Sequence, residues 1–390
     1  MPAPMPSPLQ APPLSLYVHL PWCVRKCPYC DFNSHAIGGD LPADEYVDAL
    51  LLDLEQELPL VWGRIVQTIF FGGGTPSLFS AAHYERLLSG IRARLPLSPA
   101  VEITLEANPG TVEHDSFSGY RDAGVNRFSL GVQSFSDAAL LAIGRIHGRA
   151  EAVRAVESLH GAGIPNFNLD LMFALPGQGL DDALEDVKMA LSCAPAHVSH
   201  YQLTIEPNTA FHAHPPALPG EELAWRMQEE CGALLAEAGF EQYEVSAWAR
   251  PGLECRHNLN YWRYGDYLGI GAGAHGKLTL VAEQCVRRRV RLRQPEAWMR
   301  SLRRGENGLA EDRLLPPEER VFEFFLNQLR LRRGVRRSQF EARTGLAWEV
   351  VVQRVGQLLD RGLLREEQDW LVPTELGWRF SNDAQAVFLP

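Results

Sequence analysis

The chain has 390 residues, 46% hydrophobic and 22% charged, room for one large α/β domain with a small appended one, or for two medium domains. Its net charge of −11 excludes the basic footprint of generic nucleic-acid binding. No apolar run is long enough to cross a bilayer, and seven cysteines with three clustered suit a reducing compartment better than a disulfide scaffold. The expected location is therefore cytoplasmic, with membrane contact at most peripheral.

The opening stretch MPAPMPSPLQAPP is proline-rich, with neither a positive start nor an apolar core. It reads as a flexible tail over 1–14 and not as a signal peptide. Residues 15–20 (SLYVHL) read as a short buried strand that leads into a cysteine loop. A helix is expected over 43–58, where Val47, Leu50, Leu51, Leu54 and Leu58 recur at helical spacing. Residues 68–71 (TIFF) form a strand that runs straight into Gly72-Gly73-Gly74-Thr75-Pro76. Ser80 can cap the next helix, whose apolar face is Tyr84, Leu87, Leu88, Ile91 and Leu95.

The alternation continues with strands expected at 101–105, 127–132, 168–173 and 198–204, separated by helices such as 150–160 and 180–192. Six strands each followed by a helix predict a parallel sheet with right-handed crossovers over 15–247, barrel-like or doubly wound. Polar or glycine-rich residues end one strand after another: the cysteine loop, Gly72 to Thr75, Glu106 and Gln133. That edge is where barrels build their sites, so the barrel is favoured.

From about Trp248 the pattern changes. CRHNLNYWRYGDY, a glycine-rich GIGAGAHG and a basic RRRVRLR mark 248–311 as an aperiodic connecting region. Beyond Asp312, apolar spacing at Val321, Phe324, Phe325 and Leu329, then helices near 340–344 and 350–359 and a small hairpin, predicts a winged-helix-like domain over 312–390. The arginine runs 287–293 and 330–337 read as solvated faces, with anionic lipid, a partner or an anionic ligand as alternatives. Cys193, Cys231 and Cys285 show no ligand spacing, and Cys231 reads as core.

Cys23, Cys27 and Cys30 stand in a C-x₃-C-x₂-C run. Thiolates are the natural ligands of soft metals and iron–sulfur clusters. Three of them on a 4Fe–4S cluster leave one iron open to a further ligand. A zinc site with His35 or Asp31 as fourth ligand is the plain alternative, and unrelated buried cysteines are disfavoured by Arg25 and Lys26 between the first two. The run resembles the radical S-adenosylmethionine (SAM) motif. That resemblance implies a partial barrel of six β/α units, with the open iron taken by the amino and carboxylate groups of SAM. It also turns the glycine segment, by itself a tight turn, into a contact of Gly73, Gly74 and neighbouring Thr75 with the methionyl end of SAM.

The resemblance narrows further along the chain. LYVHLPWCVRKCPYCDF, FFGGGTPSL, EANPGT, GVQSF, GRIHG, NLDLMFALPGQ, YQLTIEPNT and HNLNYW together look like the HemW branch of the oxygen-independent coproporphyrinogen III oxidase family. The likeness runs from Leu14 into the C-terminal domain. It implies that Tyr17, Gly73, Glu106, Gln133, Arg145 and Asp170 contact SAM. Arg145 suits its carboxylate, Asp170 its ribose hydroxyls and Glu106 its amino group, while Tyr29 can flank the adenine.

Two departures separate the chain from the oxidases. They carry a further cysteine two residues after the third, where this chain has Phe32. They also carry a longer extension before the cysteines, where here little more than the proline-rich segment precedes Cys23. In HNLNYW, the resemblance implicates His257 in haem binding, with Tyr261, Trp262 and Tyr264 as aromatic neighbours and Arg256 or Arg263 for a propionate. Cys255 offers a thiolate alternative, although C-x-H is not the haem-attachment spacing. The function implied is a haem chaperone that binds a 4Fe–4S cluster, SAM and haem and serves an acceptor haem protein. The alternative is an enzyme that cleaves SAM reductively to oxidise a porphyrinogen, supplied with electrons by a flavoprotein or ferredoxin. A zinc-stabilised binding module is the third reading. The oligomeric state stays open, a homodimer being one option.

Overall fold

The computed structural model describes residues 8–111 and 116–390. Its first strand shows why the sheet forms. β1 (Leu14–Leu20) is buried at every position except a half-buried Tyr17, as a parallel strand covered on both faces requires. The strands that follow in the same sheet are β2 (Val66–Gly73), β3 (Leu97–Ala107), β4 (Arg127–Gln133), β5 (Phe167–Phe173) and β6 (His197–Gln202). β1 to β6 lie side by side in chain order and pair in parallel throughout. A helix packs between each pair, beginning with Ala43–Glu57 and Ala81–Arg94. The second opens on the expected cap: Ser80 Oγ accepts from the His83 amide while the Ser80 amide donates to His83 Nδ1.

Six more strands extend the sheet: β7 (Glu241–Glu244), β8 (Ala247–Ala249), β9 (Asp266–Ile270), β10 (His275–Leu280), β11 (Cys285–Arg291) and β12 (Leu309–Leu314). The order across it is β12-β11-β10-β9-β1-β2-β3-β4-β5-β6-β8-β7. The sheet ends in β12 and β7, so the barrel is partial.

This corrects the reading of 248–311 as an aperiodic connector. β9 is parallel to β1, pairing Leu14 with Asp266 through Val18 with Ile270, and β10 to β12 follow as antiparallel neighbours. The strand pattern is hidden because charged residues occupy buried positions and satisfy one another. Buried Lys277 pairs with buried Asp266 at 3.1 Å. In the glycine-rich run, a Cβ at Gly269 would stand 1.9 Å from the His275 carbonyl oxygen, and Gly271 has φ of 100° with a would-be Cβ 2.4 Å from the His19 carbonyl oxygen. These glycines allow close backbone packing against neighbouring strands.

The basic run is likewise not a solvated face. Arg287 pairs with Asp312, Arg288 with Glu323 and Arg289 with Glu57. Arg291, 1% exposed, binds fully buried Asp53 at 2.9 Å and Glu57 at 2.6 Å. The run therefore clamps β11 onto the helix Ala43–Glu57.

Of the tail expected over 1–14, residues 1–7 lie outside the described residues, and the rest is tied down. Leu9, 2% exposed, packs with Val286 and Leu315. Its amide donates to Gln284 Oε1 at 2.9 Å, and the Gln10 amide donates to the Ala342 carbonyl at 2.8 Å.

The C-terminal unit has the expected order: helices Pro317–Gln328, Arg337–Thr344 and Val352–Asp360, then the hairpin Leu364–Glu367 and Trp370–Pro373. Val335–Arg336 adds a third strand. Phe324, Phe325, Phe340 and Phe388 form its core, with the Phe325 and Phe388 rings stacked at 3.7 Å. Tyr264, from the segment after β8, joins this core. Among the described residues, no helix is long and apolar enough to cross a membrane.

Candidate functional site

Past the end of β1, the short pairing of Trp22–Cys23 with His35–Ala36 closes the cysteine loop. Asn33 ties the loop to the following strands by donating from Nδ2 to the Ala272 and Arg293 carbonyls, both at 2.9 Å. Lys26 Nζ closes it from within, onto the Phe32 and Ser34 carbonyls. Cys23 is buried and Cys27 and Cys30 are half-buried, and all three line one cavity of about 970 Å³. This lies at the upper end of the usual range of about 300–1,000 Å³ for ligand sites.

Burial pushes the Cys23 thiol up, the neighbouring Cys30 and Cys27 adding to the effect. The Arg145 guanidinium donates to Cys27 Sγ at 3.7 Å, and Ser34 Oγ stands 3.6 Å from Cys30 Sγ. Among the described residues, no three His, Cys, Asp or Glu side chains are gathered to grip one ion. A cluster takes one thiolate on each iron, and three thiols lining a common cavity suit it.

The cavity continues along the C-terminal ends of the strands. At the end of β3, Glu106 accepts from the Gly73 amide at 3.2 Å. Burial pushes its pKa up to about 8, and the Asp170 carboxylate pushes the same way. Asp170, on β5, is also raised by burial, although Asn168 Nδ2 at 2.8 Å and Ser129 Oγ at 3.0 Å donate to it. Near the cysteine loop, Arg145 Nη2 donates to Asn108 Oδ1 at 2.5 Å and to the Gly131 carbonyl at 2.6 Å. Toward the cysteine loop, Glu106, Asp170 and the Arg145 guanidinium beside Cys27 thus share one cavity. That polarity matches SAM, which brings an ammonium, a sulfonium, a carboxylate and ribose hydroxyls.

Gly73 has φ of 122°, and a Cβ there would stand 2.7 Å from the His19 ring; at Gly74 it would stand 2.4 Å from the Trp22 carbonyl oxygen. The close approach these glycines allow is thus to the chain's own β1 and cysteine loop, while both also line the cavity. Thr75 is buried and accepts from Asn108 Nδ2 at 3.0 Å. Gln133, with φ of 71°, accepts from the Tyr201 hydroxyl at 2.7 Å. Tyr29 lies against Phe211, ring centroids 6.5 Å apart. All five line the cavity, as do Glu106, Arg145 and Asp170, and so does Arg330, the first residue of the run 330–337; Asn108, Ser199, Trp225, Trp378 and Arg379 line it too without having been singled out from the sequence.

Two expected residues lie elsewhere. The Tyr17 hydroxyl is 2.9 Å from His19 Nδ1, and its ring packs against those of Phe70 and His257. His257, expected to bind haem from within the aperiodic stretch 248–311, is buried in the helix Arg256–Trp262. Its amide donates to Glu102 Oε1 at 3.0 Å, its Nδ1 is 2.9 Å from Thr68 Oγ1, and its ring centroid is 5.0 Å from that of Phe70. Burial pushes its pKa down to about 3, with Arg127 adding to the shift, so the imidazole is neutral at physiological pH. The residues of HNLNYW that reach the cavity are Asn258 and Trp262. Arg256 instead donates to the Ala100 carbonyl, and neither it nor Arg263 lines the cavity.

Comparison with known proteins places this arrangement. Residues 17–190 match the radical SAM superfamily and residues 315–380 the HemN C-terminal domain. The chain is 49% identical to the haem chaperone HemW of Escherichia coli (strain K12), over 98% of this chain and 99% of that one. The chain belongs to the HemW family. Within it, the HemW of Haemophilus influenzae is 47% identical over 97% and 98% of the two chains, and that of Lactococcus lactis subsp. lactis 34% over 97% of each. The solved structure of coproporphyrinogen III oxidase (HemN) from Escherichia coli, described as a radical SAM enzyme, superposes with a TM-score of 0.81 at 22% identity, over 97% of this chain and 90% of that one. That likeness shows a shared fold. As a radical SAM member of the HemW family, the chain takes a 4Fe–4S cluster and SAM.

Proposed function

We propose that the chain is a haem chaperone that holds a 4Fe–4S cluster through Cys23, Cys27 and Cys30, binds SAM beside it, and passes haem to an acceptor haem protein. The observation that carries this reading is the near full-length identity of 49% to the haem chaperone of Escherichia coli. Phe32 supports it against an oxidase. It stands where the oxidases have a fourth cysteine, is 61% exposed and brings no thiol to the cavity rim.

The three thiolates would hold the cluster, whose open iron supplies a site for the amino and carboxylate ends of SAM. Arg145 would meet the carboxylate, Glu106 the amino group and Asp170 the ribose, with Gly73, Gly74, Thr75 and Gln133 shaping the walls and Tyr29 flanking the adenine. Tyr17 would act from behind, packed under this group. A flavoprotein or ferredoxin would serve as reductant of the cluster. Haem would bind reversibly in the same cavity, since delivery requires release.

His257 is neutral, the form that ligates iron, but its ring sits between Phe70 and Thr68, so direct ligation requires the helix Arg256–Trp262 to move. The test is a haem titration of the anaerobically reconstituted wild type and of His257→Ala, followed by addition of an apo haem protein. Saturable binding by the wild type and transfer to the acceptor are expected. The interior packing predicts that His257→Ala weakens binding with an unchanged absorption band. Loss of the band would make the imidazole an iron ligand, and a wild type that neither binds nor transfers haem would overturn the chaperone reading.

A further inference from the structure

The end of the cavity away from the cysteine loop is built from other chemistry. Arg330, Trp378 and Arg379 of the C-terminal unit line it with Trp225 of the helix Glu221–Glu237 and with Asn258 and Trp262. The Arg330 guanidinium lies 4.4 Å from the Trp262 ring centroid, and that of Arg379 lies 5.1 Å from the Trp225 centroid. Stacking on indole fixes the plane of a guanidinium while leaving its edge free to donate. Each arginine is also held by one carboxylate, Arg330 Nη2 by Glu244 at 3.1 Å and Arg379 Nη2 by Glu229 at 2.8 Å. A guanidinium has five donors, so both retain capacity. Arg330 Nε and Trp262 Nε1 are buried without a protein hydrogen-bond partner, as are several other arginine and tryptophan donors in the interior.

We infer that this wall is a subsite for the propionate-bearing edge of a porphyrin. The inference rests on the haem-chaperone reading and adds to it where the macrocycle lies and what recognises it. Three indoles, each with one face under a guanidinium (Arg330 on Trp262, Arg379 on Trp225, Arg332 on Trp378), put aromatic surface beside a flat ring, and two arginines offer the planar forks that match two carboxylates. A small monocarboxylate would not use both arginines, and a nucleic acid is opposed by the net charge of −11. Arg330 opens the run 330–337, read from the sequence as a solvated face, and Arg379 ends the helix Glu375–Arg379. No cysteine takes part, so this subsite is separate from the cluster end of the same cavity.

The test uses the full-length chain and two probes that need no iron ligand: metal-free protoporphyrin and its dimethyl ester, titrated by fluorescence. Wild type is expected to bind the diacid at least tenfold more tightly than the ester. Arg379→Gln and Arg330→Gln are each expected to lose about tenfold for the diacid, the scale of one charged hydrogen-bonded contact, and nothing for the ester. Arg330→Gln leaves Glu244 without its partner and can unfold the chain. Arg379→Gln, whose ion pair is exposed, and Trp378→Leu then carry the test. Equal binding of diacid and ester by the wild type, or diacid binding unchanged in the variants, would overturn the subsite and leave the chaperone reading standing. Failure of the wild type to bind either porphyrin would overturn the subsite, and the haem titration above decides the chaperone reading separately.

Discussion

At the scale of residues, Glu106 carries a pH dependence that follows from its position. Its carboxyl is buried, close to Asp170, and lifted to about 8, against about 4.3 in an unfolded chain. The folded protein therefore keeps a proton that the unfolded chain gives up. The associated stability is fully present below about pH 4 and is lost as the pH rises through 8. Each unit of displacement corresponds to about 1.4 kcal/mol. Glu106→Gln is expected to flatten this decline, so that urea midpoints of the cofactor-free protein fall less between pH 5 and pH 8 than in wild type. An equal fall in both would show that Glu106 is ionised throughout. Residue identities at this scale were largely legible in the sequence. Glu106, Gln133 and Asp170 stand on strands ending at one edge, and that placement needs only the alternation of strands and helices. His257 was legible as a distinctive residue but not as a buried one, because its burial depends on Thr68 and Glu102 of two other strands.

At the scale of elements, the arginine run of β11 shows how charge hides a strand. RRRVRLR is dominated by charge, and linear reading assigns it to solvent. Folded, every arginine named in that run meets an acid from another element, and Arg291 meets Asp53 where both are out of water. Breaking such a pair from one side strands the other charge. Arg291→Ala is expected to destabilise the protein by about 3–5 kcal/mol, read as a lower urea midpoint, and Asp53→Asn in the same background is expected to recover part of it. A loss below about 1 kcal/mol would mean that water reaches Asp53. Glycines behave in the same way: at Gly269 and Gly271 the sequence shows an unusual run, but which backbone comes close is a matter of sheet order.

At the scale of the whole molecule, residues 8–13 and the C-terminal unit close the ends of the fold. Leu9 packs on Val286 of β11 and on Leu315 at the entry to the C-terminal unit, while the Gln10 amide reaches Ala342 within it. This strap joins the large sheet to the last domain. Leu9→Ala is expected to cost about 2 kcal/mol, the low end for a buried leucine, and to raise the rate of limited proteolysis around residue 315. Unchanged proteolysis would show that the strap does not secure the C-terminal unit. A proline-rich stretch with one leucine has no periodicity to announce such a role, so it reads as a tail until its partners are in place.

The cysteine run, the glycine turn and the six-fold β/α alternation were determined by the sequence alone. They depend on local chemistry and on periods of two and 3.6 residues, which a linear string preserves. The motif string from Tyr17 to Trp262 likewise carried the family. What only tertiary structure decided was adjacency. It placed β9 beside β1, sank His257 behind the cavity wall and brought Arg330 and Arg379 to that wall. Those outcomes rest on pairings between residues far apart in the chain, 86 residues for Arg330 with Glu244 and 150 for Arg379 with Glu229, satisfied by burial and by ion pairs that no local pattern encodes.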